Sequence, residues 1–121
     1  MMRAITAGTM AAVLATSAAH AAAVAYTWTG MGVNVPGSAK CATYKMTIDV
    51  TVDGSAVKGT FQQQGREERH FEAKLDGKGM FKTKAPLGGG SNMDVSGSIS
   101  DKESSVVLDG YCKFGGKLTG K

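Results

Sequence analysis

Residues 44–61 have the sequence YKMTIDVTVDGSAVKGTF, in which apolar and polar side chains alternate on both sides of a Gly-Ser pair. A period of two is typical of a β-strand with one buried face. Gly54 and Ser55 fit a two-residue turn with glycine at its first central position. In that register Ile48 lies opposite Phe61 on the apolar face, so the stretch predicts an antiparallel β-hairpin.

The same alternation predicts two further hairpins along the chain. The first has a three-residue turn at 76–78, which sets Ala73 opposite Phe81 on its apolar face. The second pairs residues 93–99 with residues 106–112 across a charged turn. With a short run at each end of this region, the pattern predicts about eight strands.

These strands fit one domain, residues 22–121, because single domains typically need about 100 residues. No stretch of that region has the 3.6-residue apolar period of a helix. A meander with one apolar face closes most economically into an up-and-down barrel, since closure removes the exposed edges. We therefore expect an all-β fold with a small antiparallel up-and-down barrel. A two-sheet β-sandwich is the alternative.

Glycine is unusually abundant, with 17 residues in the chain. Several lie at predicted turns, but Gly59, Gly97 and Gly110 lie on the inward phase of strands. A missing side chain at such positions permits sharp bending or leaves internal space. The glycines therefore predict a tightly curved sheet.

The first 21 residues have the pattern of a secretory signal peptide. Arg3 precedes a nearly uncharged run rich in Ala, Val and Leu, and Ala19 and Ala21 provide the small residues that a signal peptidase accepts. The apolar run is shorter than the roughly 20 residues of a membrane-spanning helix. We expect cleavage after residue 21, or as late as residue 23, and a periplasmic or secreted protein.

Two cysteines, Cys41 and Cys112, are the only ones in the chain. An even number of cysteines in an exported protein predicts a disulfide. Such a bond closes a long loop, which in the chain-entropy treatment contributes about 4 kcal/mol of stability.

The formal charge of +4 is modest and falls by one when Arg3 is removed. It favours anionic partners only weakly. The chain has no long basic run, so we expect no nucleic-acid partner. Several predicted strands are shorter than the 9 to 11 residues or so of membrane-spanning strands, so we expect no membrane insertion.

No constellation of residues predicts catalysis or a cofactor. His70 is the only histidine after the signal segment, and both cysteines are assigned to a disulfide, so the ligands of a zinc site are missing. No G-x-S-x-G motif occurs. The adjacent Glu67 and Glu68 are flanked by Arg66 and Arg69, which neutralise their charges. The sequence predicts a protein that is not an enzyme and has no cofactor.

The segment QQQGREERH, residues 62–70, concentrates hydrogen-bonding groups at one turn. Strand alternation directs Gln63 and Arg69 inward at the end of the barrel. Arginine binds carboxylate or phosphate through two parallel hydrogen bonds. The candidate ligand-binding residues are Gln63, Arg66, Arg69, His70, Lys82 and Lys84. An ordinary charged hairpin tip that keeps the protein in solution would have the same composition.

Two functions agree with these features. The first is non-enzymatic binding of a polar or anionic ligand, such as an anionic small molecule or a glycan. The second is inhibition of a secreted or periplasmic hydrolase by an inserted loop, for which residues 86–92 and 65–68 are candidates. The sequence names neither the ligand nor the partner.

Overall fold

The computed structural model describes residues 23–121, so the predicted signal peptide lies outside the described residues. Within them the chain forms nine β-strands and one short 3₁₀ turn at Cys41–Thr43. The strands are β1 Val24–Met31, β2 Lys45–Asp53, β3 Ala56–Gln63, β4 Arg69–Lys74, β5 Met80–Gly88, β6 Ser91–Ser98, β7 Ser105–Asp109, β8 Lys113–Lys117 and β9 Thr119–Gly120. No helix among residues 23–121 is long and apolar enough to cross a membrane.

The strands form two antiparallel sheets. The first sheet has the order β4-β3-β2-β1-β9, and the second has the order β5-β6-β7-β8. The all-β class and the antiparallel meander are confirmed. The closed barrel is not formed, because β4 and β5 belong to different sheets, as do β1 and β8. The two-sheet alternative is therefore closer to the observed arrangement.

The hairpin predicted from residues 44–61 is confirmed in its register. Ile48 pairs with Phe61, and Asp53 pairs with Ala56 across a two-residue turn. Gly54, the first turn residue, has a φ of 63°. This left-handed conformation is strained for a residue with a side chain, which explains why glycine stands at that position.

The prediction of a hairpin that pairs Ala73 with Phe81 is wrong. Among the described strands, β4 pairs only with β3, and β5 pairs with β6, so that Phe81 lies opposite Gly97 and not opposite Ala73. Between them, Asp76 makes a compact turn, since its carboxylate accepts hydrogen bonds from the backbone N–H groups of Lys78 and Met80. These bonds lower the pKa of Asp76 below its ordinary value.

The glycine run at 88–90, which lies within the candidate loop 86–92, forms the tip of the β5–β6 hairpin. Gly88 pairs with Ser91, and Gly88, Gly89 and Gly90 have φ values of 84°, 59° and 84°. Three successive positive φ values allow the chain to reverse within two residues. The candidate loop is therefore a structured hairpin end.

The hairpin of β6 and β7 is formed, but its register differs by two residues from the predicted one: Val95 lies opposite Leu108, not opposite Gly110, and Gly97 lies opposite Val106. The inward faces are still those expected, and the shift arises because the connection is longer and spans residues 99–104. The second strand ends earlier than expected, at Asp109. Residues 110–112 bend instead, and the Gly110 N–H donates to the Cys112 carbonyl at 3.0 Å. The bend directs the chain into β8.

The core lies between the two sheets and includes the predicted disulfide, which is confirmed. Cys41 and Cys112 are bonded and fully buried. Around them the apolar faces of both sheets pack into one cluster, including Ile48 from the first sheet and Leu108 and Phe114 from the second. The disulfide joins the approach to β2 to the bend before β8.

Aromatic rings fill the space beside the inward-facing glycines. The Phe71 ring lies against Gly59 and the Phe81 ring against Gly97, so that neither glycine has room for a side chain. The two rings stack on each other with centroids 6.2 Å apart and planes 12° apart. The boundary between β4 and β5 is thus packed by side chains in place of a backbone ladder.

The other boundary between the sheets, between β1 and β8, has a similar arrangement. A Cβ on Gly30 would lie 2.6 Å from the indole carbon Cζ2 of Trp28, and one on Gly116 would lie 3.2 Å from its Nε1. The indole of β1 therefore packs against a glycine of the second sheet. After β8 the chain passes at Leu118 into β9, which pairs with β1 of the first sheet.

Candidate functional site

A small cavity opens at one end of the core, where three connections meet. These are the β3–β4 loop, the tip of the β5–β6 hairpin and the bend before β8. The cavity volume is about 120 Å³. Its apolar lining consists of Met46, Phe61, Leu87 and Met93.

Both sheets contribute to the inner wall of the cavity. Met46 of β2, Phe61 of β3 and Met93 of β6 are buried core residues. Leu87, close to the hairpin tip, is only partly buried and packs against the same core. The cavity is therefore an extension of the space between the sheets, with an apolar floor.

Polar groups line the same cavity, and the most buried of them is Gln63. The residue is only 9% exposed, and its Oε1 accepts a hydrogen bond of 2.5 Å from the Tyr111 hydroxyl. Within residues 23–121, the amide Nε2 of Gln63 has no hydrogen-bond partner. A buried amide donor without a partner is costly, so this group favours an acceptor in the cavity.

Arg69, the first residue of β4, pairs with Phe61 and lines the cavity. Its guanidinium Nη2 lies 3.1 Å from Oε1 of Glu67, in agreement with the local neutralisation expected from the sequence. A Cβ on Gly88 would lie 3.5 Å from Nη1 of Arg69. The guanidinium thus lies beside the hairpin tip as well as at the cavity.

Arg66 lies in the β3–β4 loop and also lines the cavity. Its backbone is fixed, since the Arg66 N–H donates to the Gln63 carbonyl at 2.9 Å and its own carbonyl accepts from Nε2 of Gln62 at 2.8 Å. Among residues 23–121, its guanidinium makes no ion pair. Arg66 therefore supplies a positive charge that is not neutralised by a neighbouring carboxylate.

The other three candidate residues lie elsewhere. The His70 side chain is 69% exposed and lies 3.7 Å from a carboxylate oxygen of Glu68. Lys82 and Lys84 lie on the outer face of β5, where Lys84 Nζ is 2.6 Å from Oδ1 of Asp94. The six candidates thus separate into three that line the cavity and three that face solvent.

Sequence reasoning missed part of the lining. Met46 could have been predicted, because the predicted hairpin register, extended by two residues, places Met46 opposite Gln63. Tyr111 could not have been predicted as a lining residue, because the sequence pattern places it in a strand whereas it lies in a bend. Its position beside the cavity depends on the tertiary packing of that bend.

The chemistry available at the cavity is recognition of a small group. Its charged lining residues are two arginines and Glu67. No three His, Cys, Asp or Glu side chains of the described region are grouped to hold a metal ion. Guanidinium groups and an amide N–H are donors, so the cavity suits an acceptor such as a carboxylate.

Comparison of the chain with protein-family models, with curated proteins and with solved structures gave no match. The function is therefore inferred from the cavity and from the charged residues that line it.

Proposed function

We propose that the protein is a non-enzymatic binding protein that holds a small polar or anionic ligand in the cavity at the end of its core. The supporting observation is that Gln63, Arg66 and Arg69, which surround the β3–β4 turn, line one cavity together with buried apolar residues of both sheets. Arginines that served only to keep the protein in solution would not need to line a cavity beside a buried amide.

An anionic ligand is favoured by the balance of charges. Arg66 and Arg69 outnumber Glu67, the one carboxylate among the described lining residues. Glu67 already lies against Arg69, which leaves Arg66 as the stronger attraction for an incoming anion. Because the Arg69 guanidinium is partly buried beside an apolar cavity, its interaction with an anion is screened less than at an open surface.

Binding without catalysis is favoured by the composition of the lining. General acid–base chemistry needs a group whose proton can move near the substrate. Among the described lining residues, the only carboxylate is held in an ion pair, and His70 lies outside the cavity. The proposal includes a periplasmic or secreted location, which the disulfide supports because such bonds persist in oxidising compartments.

Isothermal titration calorimetry with acetate, inorganic phosphate and galacturonate tests the proposal. The variant Arg66→Ala with Arg69→Ala should bind the preferred anion at least about tenfold more weakly, since charge-assisted hydrogen bonds each contribute about 1.5–3 kcal/mol. Its melting temperature should stay close to that of the wild type, because the Arg66 side chain is exposed and that of Arg69 is partly exposed.

The matched control is Lys82→Ala with Lys84→Ala, which removes the same net charge from the outer face of the second sheet. It should leave affinity unchanged. Equal weakening in both double variants would mean that only the overall charge matters, and absence of binding by all three anions would contradict the proposal.

Inhibition of a hydrolase is the second candidate. It is favoured by the proximity of the two candidate loops, since Arg66 and Glu67 of one and Leu87 of the other line the same cavity. Both loops are therefore presented at the same end of the molecule. Incubation with a panel of secreted lysozymes and proteases tests this function, and uninhibited activity across the panel would count against it.

A further inference from the structure

The cavity combines a charged rim with an apolar floor, and this combination points to the class of ligand. Met46, Phe61 and Met93 are at most 2–3% exposed, whereas Arg66 is exposed. The lining therefore changes with depth, from charged groups at the opening to apolar groups at the base. A ligand that matches this gradient has an anionic head and an apolar tail.

We infer that the cavity binds a short aliphatic carboxylic acid, with its carboxylate at Arg66 and its chain directed toward Met46, Phe61 and Met93. This inference rests on the proposed function and specifies its ligand class. The carboxylate accepts hydrogen bonds from the guanidinium and from the buried Nε2 of Gln63. That amide then gains the partner that the described residues do not provide.

The size of the cavity limits the length of the chain. An apolar protein cavity of about 150 Å³ holds benzene, which has six carbon atoms. The cavity here is slightly smaller, at about 120 Å³. Scaled by volume, it accommodates about five non-hydrogen atoms, which corresponds to propionate, or to butyrate with its carboxylate at the rim.

A complete sugar ring does not fit this description. A hexose has about twice that number of non-hydrogen atoms and would place hydroxyl groups against methionine and phenylalanine side chains, where they find no partners. Of the two anionic classes expected from the sequence, the small molecule is therefore favoured over the glycan.

Titration of the native, oxidised protein with the acids from acetate to octanoate tests the inference. Each added methylene up to butyrate should increase affinity about fourfold, the factor expected from burying one methylene. Affinity should then fall at hexanoate and octanoate because the closed floor excludes the longer chain. Inorganic phosphate should bind more weakly than butyrate.

Leu87 provides a matched pair of variants, since it is only partly buried and tolerates changes in size. Leu87→Ala enlarges the cavity and should move the best ligand to a longer chain, whereas Leu87→Phe should favour acetate. Glu67→Gln removes the carboxylate that competes for Arg69, and it should increase the affinity of every acid by the same factor. Unfolding in urea confirms that each variant is folded.

The outcomes separate the two proposals. Anion binding that depends on Arg66 but not on chain length, that increases steadily to octanoate, or that is tightest for inorganic phosphate overturns the carboxylic-acid assignment and leaves the binding function standing. Failure of every acid and of inorganic phosphate to bind overturns both.

Discussion

Replacement of Gly97 by alanine tests whether ring-on-glycine packing stabilises the boundary between the sheets. A Cβ at this position would lie 2.5 Å from Cζ of Phe81 and 2.5 Å from the carbonyl oxygen of Ser105. Atoms do not approach so closely, so either the ring or the backbone must move. The ring is confined, because Phe81 is buried and stacks on Phe71.

The cost follows from what has to move. If the backbone yields, overpacking costs about 1–3 kcal/mol. If the Phe81 ring leaves the core, the loss is about 1.5–3 kcal/mol of burial and about 1 kcal/mol from the aromatic pair. We therefore expect Gly97→Ala to lower the free energy of unfolding by about 3 kcal/mol. With a urea m-value of about 1.5 kcal/mol/M, the midpoint should fall by about 2 M.

Gly77→Ala is the matched control for this measurement. No atom lies within 4 Å of the position where its Cβ would stand, and its backbone is not in the left-handed region. The control should change stability by less than about 0.5 kcal/mol. If Gly97→Ala and Gly77→Ala unfold at the same urea concentration, the packing of Phe81 on Gly97 contributes nothing and the reasoning is refuted.

Three further changes test other contacts. Replacing Cys41 and Cys112 by serine should lower the free energy of unfolding by about 4 kcal/mol, because the unfolded chain regains the entropy of a long loop; an unchanged urea midpoint would contradict this. Tyr111→Phe should cost about 1–2 kcal/mol in the same assay, since it leaves Oε1 of Gln63 buried without a donor, and a variant as stable as the wild type would argue against that bond. Because backbone hydrogen bonds lower the pKa of Asp76 from 3.8, its carboxylate adds stability that is present above pH 3.8 and lost as the pH falls through the folded-state pKa. Asp76→Asn should flatten the dependence of the melting temperature on pH in that acidic range, and an unchanged curve would show that the turn contributes no such dependence.

The fold could be predicted with its register where the two-residue Gly54-Ser55 turn joins β2 and β3. The β2–β3 register was correct because a two-residue turn leaves one parity that buries every apolar side chain. The β4–β5 hairpin was wrong because local alternation cannot tell whether two successive strands share a ladder. There the Asp76 turn and the stacked rings of Phe71 and Phe81 place the strands in different sheets.

The candidate site was predicted in part for the same reason. Gln63 and Arg69 were placed inward by strand alternation, and they line the cavity. His70, Lys82 and Lys84 were grouped with them, but alternation directs these three outward on their strands. Their place outside the cavity follows from that alternation, which a grouping by hydrogen-bonding capacity and charge does not take into account.

By itself, the sequence determined the all-β class, the register of the β2–β3 hairpin across its tight turn and the pairing of the only two cysteines. These features depend on residue alternation, turn chemistry and counting, which are local or combinatorial. The tertiary structure decided that the meander forms two sheets and that Phe71, Phe81 and Trp28 occupy the space beside glycines. It also decided that Tyr111 reaches Gln63, 48 positions earlier in the chain, to line a cavity with an apolar floor. Such contacts between distant residues depend on how side-chain volumes pack together, and that packing exists only in the folded chain.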